Sequence, residues 1–229
     1  MSNLFALFRY CSNIPMIKYP KDPKKIQLNS LQLVKDGFDL SHLSLLEKKI
    51  ARQMAINCGD LSILENIRFS EYAVDKALEA LDEDYDLLCD TDTVACGLKE
   101  KYLKNEPICL INKANVISQA KSNKQTRSMT AVDLWKTYLP ESIILIGNEP
   151  TALFRLLEVL EDEGSGKNPA LIIATPVGFS CAEEAKQYLW DNCEKLGVPC
   201  ITLLGARGGS ELASTIMNKL LQIQKSKED

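Results

Sequence analysis

The chain has 229 residues, 45% of them apolar and 25% charged, which is enough to bury a sizeable core and too apolar for general disorder. With 27 Lys and Arg against 31 Asp and Glu, the formal net charge of −4 excludes a general nucleic-acid binder, which needs a basic face. No apolar stretch reaches the ~20 residues of a membrane span.

In chain order, residues 1–18 read as a loosely packed amino-terminal extension. The short apolar run of MSNLFALFRYCSNIP is followed, not preceded, by Arg9, unlike a secretory leader. Residues 19–229 read as one α/β domain whose first part is mostly helical. The segment 43–57 places Leu46, Ile50, Met54 and Asn57 on one helical face and stops at Cys58-Gly59. A second helix is expected over 70–81 with Ser70 as its N-cap.

Five nearly continuous apolar runs follow, at 87–91, 107–111, 142–146, 170–175 and 199–204. Strands covered on both faces have this pattern, so the runs predict a five-stranded parallel sheet between helices. The intervening segments 126–139, 151–162, 180–196 and 210–224 have helical periodicity, and the KSKED tail is expected to fray. Alternation of the two patterns predicts βαβ units in a doubly wound sheet.

The eight cysteines, at 11, 58, 89, 96, 109, 181, 193 and 200, form no CxxC pair, and His42 is the one histidine. That spacing offers neither a zinc site nor a redox dithiol. Several sit in apolar runs and read as buried free thiols, which implies a reducing cytoplasm. His42 reads as a surface residue at a helix start. Asp90 and Asp92 could act as an acid–base pair, but N-capping of the helix after them is the favoured expectation.

Three loops each follow an apolar run and open a helix: 146–153, 175–185 and 204–214. Ligands of open α/β sheets bind at such places, where amide N–H groups and helix amino termini favour anions. The candidate binding residues are Gly147, Asn148 and Thr151; Gly178 and Phe179; and Arg207, Gly208, Gly209 and Ser210. Arg207 offers a fork for a carboxylate, Ser210 a helix cap and Phe179 a ring to cover a flat ligand. No Walker A, GxGxxG or GxSxG pattern occurs, so neither a nucleotide nor a nucleophilic triad is supported.

The segments GNEPTALFRLLEVL, TPVGFSCAEEAK and VPCITLLGARGGSELASTIMNKL resemble the precorrin-8X methylmutases of cobalamin biosynthesis. So do TRSMTAVDLW, LLCDTDTVACGL, INCGDLSILENIRFS and KDPKKIQLNSLQL, and the likeness extends from about residue 19 onward. The resemblance implies a homodimeric isomerase with a corrinoid tetrapyrrole substrate. It would move a methyl group from C11 to C12 by a [1,5]-sigmatropic shift that needs no redox cofactor and no protein-bound metal. It also implies catalytic roles for Arg127 and Ser30. The family's proton-donating histidine falls at Ile56, with Asn57 beside it as a hydrogen-bond donor, and a family threonine falls at Leu110. Two readings follow. In one, tautomer control is shared among Arg127, Ser30, Asn57 and water; in the other, the chain binds a tetrapyrrole without isomerising it. A third, a non-catalytic partner of corrin-pathway proteins, predicts Arg127 and Arg207 solvated or paired with acids such as Glu183 or Glu211.

Overall fold

The computed structural model describes residues 19–163 and 168–228. The extension 1–18, the Gly-Ser-Gly segment after 163 and Asp229 lie outside the described residues.

Helix α1 (Pro23–Gly37) starts with Asp22 accepting from the Lys24 amide at 2.9 Å and with Pro23 in its first turn. Helix α2 (Leu45–Cys58) opens on a capping box, in which Ser44 and Glu47 each accept the other's backbone N–H. Asp60 then caps a 3₁₀ turn, Leu61–Glu65. Next come β1 (Ile67–Phe69), α3 (Ala73–Asp82), β2 (Asp86–Cys89), α4 (Asp92–Cys96) and β3 (Ile108–Cys109). Helices α5 (Ala114–Asn123) and α6 (Arg127–Asp133) precede β4 (Ser142–Ile146) and α7 (Pro150–Glu163). The chain closes with β5 (Leu171–Ala174), α8 (Ala182–Leu196), β6 (Cys200–Leu203) and α9 (Ser210–Glu228).

The sheet has six strands in the order β1-β6-β5-β4-β2-β3, with β2 to β6 parallel and β1 antiparallel to β6. The expected five-stranded parallel sheet is therefore extended by one antiparallel edge strand. At three residues, β1 is too short for any periodicity to show. Ser70 prolongs that edge pairing: its hydroxyl accepts from the Cys200 amide at 2.8 Å, so it is spent on the neighbouring strand. Tyr72, not Ser70, stands at the start of α3. Two further expectations are corrected. Helix α6 ends at Asp133 and continues only as 3₁₀ turns, and α9 runs through the tail to Glu228 without fraying at residue 224. Helix α5, which the sequence did not single out, buries only Val116 and Ala120, one i,i+4 pair on a polar helix.

Every residue of β4, β5 and β6 is buried, as their continuous apolar character requires. Side chains alternate between two cores. Leu145, Ile173 and Ile201 face a core built with α2, α3 and α9. Ile144, Ile172 and Cys200 face one built with α6, α7 and α8. The seven described cysteines are unpaired; of those in apolar runs Cys89 and Cys200 are buried and Cys109 half-buried, Cys193 is buried as well, and Cys58, Cys96 and Cys181 are exposed. No helix among the described residues is long and apolar enough to cross a membrane.

Candidate functional site

From β2 the chain passes to β3 on one side, then back across to β4, β5 and β6 on the other. The order of the parallel strands therefore reverses between β2 and β4, where open α/β sheets place ligands. Here that crevice is filled from within. Asp90, 1% exposed, follows β2, and its carboxylate accepts from the backbone amides of Asn148 at 2.8 Å and Glu149 at 3.0 Å. Burial raises the Asp90 pKa, while the loop amides and the Thr91 hydroxyl oppose that rise. Gly147 is demanded by contact: a Cβ there would lie 2.7 Å from Ser210 Cα and from a Val94 methyl group. So the amide of Asn148 is committed to an internal carboxylate, and Gly147 fits a close packing of α4, α9 and β4. The expected N-capping by Asp90 and Asp92 is not what the structure contains. Thr91 holds the cap position of α4 without a side-chain capping bond, its hydroxyl turning to Asp90, and Asp92 lies in the first turn. Nor do the two carboxylates act on one centre, since they bind different partners.

Asp92 accepts from the side-chain amide of Asn112, whose oxygen accepts from Arg127 Nη1 at 2.9 Å. Thr126 caps α6 through the Met129 amide, and its hydroxyl lies 2.8 Å from that of Thr151 in the first turn of α7. Arg127 and Thr151 thus flank the same outer rim beyond β2, β3 and β4. Leu110, where the resemblance expects a threonine, is buried in the apolar core.

The loops after β5 and β6 are built differently, each on the other. Gly209 N–H donates to the Thr175 carbonyl at 2.7 Å, the Thr175 hydroxyl to the Gly209 carbonyl at 3.2 Å, and Gly178 N–H to the Ala206 carbonyl at 3.1 Å. Gly208 lies so close that a Cβ would be 2.2 Å from the Thr175 oxygen, a contact that no other residue permits. The amides of Gly178 and Gly209 therefore hold the loops together. Gly209 also stands at the cap position of α9, its carbonyl accepting from Ala213, so Ser210 is the first helical residue and not the expected cap. Phe179 projects wholly into solvent at 106% exposure, so it belongs to no core.

Arg207 reaches sideways from this pair of loops. Its guanidinium donates to the Ser62 hydroxyl at 2.7 Å and forms an ion pair with Asp60, an acidic partner other than Glu183 and Glu211. The Ser62 amide and hydroxyl, then Arg207, hold the Asp60 carboxyl below its usual value. Behind the loop, Lys186 is fully buried and donates from Nζ to the Arg207 carbonyl at 2.5 Å. Desolvation lowers its pKa to about 8. Neither Asp60 nor Lys186 was singled out from sequence. The signal for Lys186 was available: it shares the inward face of α8 with Ala182, Ala185, Leu189 and Cys193.

Asp60 is also part of the wall of a pocket of about 550 Å³ between α1 and α2. Ser30, Leu33, Val34, Ala55, Ile56 and Leu61 line it, so Ser30 and Ile56 are brought together. The Ser30 hydroxyl donates to the Ile26 carbonyl at 3.0 Å. Asn57 does not join them. Its amide donates to the Thr215 hydroxyl of α9 at 2.8 Å and accepts from Gln53, and it lines a separate polar pocket. His42 is exposed, as expected.

The model of the CbiC precorrin-8X methylmutase family matches residues 25–223. The chain is 37% identical over 207 residues to the precorrin-8X methylmutase of Pseudomonas aeruginosa, covering 90% of this chain and 98% of that protein. It is 28% identical over 205 residues to the cobalt-precorrin-8 methylmutase of Leptospira interrogans, covering 86% and 92%. The solved precorrin-8X methylmutase of Thermus thermophilus superimposes with a TM-score of 0.78 at 31% identity, over 89% of this chain and 97% of that one.

Proposed function

The chain belongs to the precorrin-8X methylmutase family and is an isomerase of cobalamin biosynthesis, and on that premise we propose that the corrin precursor docks between the Ser30/Ile56 pocket and the Arg207 loop. The reaction in this reading carries a methyl group from C11 to C12 of precorrin-8 or cobalt-precorrin-8. The observation that carries it is the junction at Asp60. One carboxylate both lines the pocket containing Ser30 and Ile56 and grips Arg207 at the end of β6.

A sigmatropic shift requires no nucleophile; it requires a ring held in one position and one tautomer. Arg207 and Arg127 supply guanidinium forks for the ring's carboxylates. Val34 and Ile56 present apolar walls to the migrating methyl group. Ile56 has no proton to give, and Asp60 is held ionised, so neither side chain serves as an acid at neutral pH. Asn57 is turned to α9 and contributes to the helix interface. Protonation of the ring then falls to water admitted beside Ser30. Losing one positioned acid slows such a reaction by about 10²–10⁴-fold without abolishing it.

The protein acts as a cytoplasmic homodimer in this reading. Phe179, and Leu28 and Leu33 of α1, are exposed apolar side chains that a second copy would cover. Unpaired thiols at both buried and exposed positions suit a reducing compartment.

The test is to mix the purified protein with precorrin-8, or its cobalt form, and follow the absorption spectrum. Catalytic amounts of protein are expected to yield the product corrin spectrum, and Ile56→His is expected to accelerate it. A change that stops at one ring per protein would make the chain a binder and overturn the isomerase reading.

A further inference from the structure

Helix α8 packs its inward face on the sheet through Ala182, Ala185, Leu189 and Cys193, and Lys186 falls in the same stripe. An ammonium group there costs far more to bury than a leucine, unless hydrogen bonds replace its water. It is nevertheless fully buried, and Nζ reaches the Arg207 carbonyl at 2.5 Å. A charged donor at such a distance makes a strong bond.

The position of that bond is informative. The Ala206 carbonyl is held by the Gly178 amide, and the Gly209 amide by the Thr175 carbonyl. These bonds flank Arg207, and Lys186 holds the peptide between them. From the same residue the guanidinium runs to Ser62 and Asp60, and Asp60 forms part of the wall of the Ser30/Ile56 pocket. A line of direct contacts thus joins the inner face of α8 to the pocket.

We propose that Lys186 is a positioning residue for the methyl shift, acting by fixing the carbonyl of Arg207 so that its guanidinium meets Asp60 and the ring's carboxylate in one geometry. This rests on the docking described above. Lys186 touches no substrate; it governs where Arg207 stands.

The test uses the full chain. Lys186→Met keeps the aliphatic stem and removes the ammonium. Amide hydrogen exchange at residues 205–209 is expected to quicken by about tenfold, with protection of β4 unchanged. Ring affinity, titrated spectrally with precorrin-8, is expected to weaken by about tenfold, while kcat changes by less than about twofold. The Lys186→Met/Arg207→Met double variant is expected to bind no more weakly than Arg207→Met alone, because one residue acts through the other. Unchanged loop exchange overturns the proposal. So does faster exchange with wild-type affinity, which makes Lys186 purely structural, and so do losses that add in the double variant. A wild-type chain that binds no ring fails the functional reading itself and takes this proposal with it, a result read without any substitution. Should Lys186→Met not fold, Lys186→Gln is expected to shift exchange and affinity in the same direction by less, and wild-type values for both overturn the proposal.

Discussion

The glycine loops at one end of the sheet use their backbone amides in two opposite ways. After β4, the amides of Asn148 and Glu149 converge on the carboxylate of Asp90, supplied by the neighbouring strand. After β5 and β6, the amides of Gly178 and Gly209 bind carbonyls of the opposite loop, and an arginine is left at the surface with its side chain 56% exposed. The first arrangement imitates an anion site and fills it with the protein's own anion. The second makes a rigid platform and presents a guanidinium beyond it. A helix start rich in small residues is therefore not a ligand site until the destination of its N–H groups is known.

The comparison breaks most severely at Asp90. Asp90→Ala leaves the two loop amides of Asn148 and Glu149 without their acceptor and is expected to cost about 3 kcal/mol of stability, read from denaturant unfolding. A stability loss confined to a few tenths would mean that the loop is not held by that carboxylate. Gly208→Ala drives a methyl group into the Thr175 carbonyl and is expected to cost about 2 kcal/mol and to weaken ring binding, because the two loops must part. An equally stable variant with unchanged affinity would show that the platform tolerates separation. Arg127 is hydrogen-bonded to Asn112 at the rim, so Arg127→Ala should leave the melting temperature nearly unchanged and lower turnover by at least about tenfold. Wild-type turnover would remove Arg127 from the site.

The remaining two effects are gentler. Lys186 loses its proton near pH 8 when folded, against 10.5 for an ordinary lysine, chiefly through burial, with Glu183 pulling the other way. The unfolded chain holds that proton more tightly, so this contribution to stability grows as pH rises from about 8 to about 10.5 and is lost as pH falls back through 8. Unfolding of wild type compared with Lys186→Met across that range is expected to show the rise in wild type alone. Parallel pH curves would refute it. Finally, Asp60→Asn removes an exposed ion pair and should leave the melting temperature within error, while ring affinity changes through the freed Arg207. A clear drop in melting temperature would show that the pair holds the fold.

Much of the architecture was legible because continuous apolar runs have few other uses than strands covered on both sides. What escaped was short or polar: β1 with three residues, α5 with two buried side chains, and the long polar end of α9. At the site, the motif residues 147, 178 and 207–210 do lie at the carboxyl ends of the strands. Their neighbours could not be read, since Asp90 is 58 residues from Asn148, and Asp60 is 147 from Arg207.

Sequence by itself determined the α/β class and the family, because local pattern and motif register carry that information. Only the tertiary structure decided that Ile56 shares a pocket with Ser30 while Asn57, one residue on, turns to α9. Adjacent positions on a helix point about 100° apart, so which one faces the pocket depends on what packs on each side. The same holds for the amides. Their direction is local, but whether a carboxylate, a carbonyl or open solvent meets them depends on residues far away in the chain.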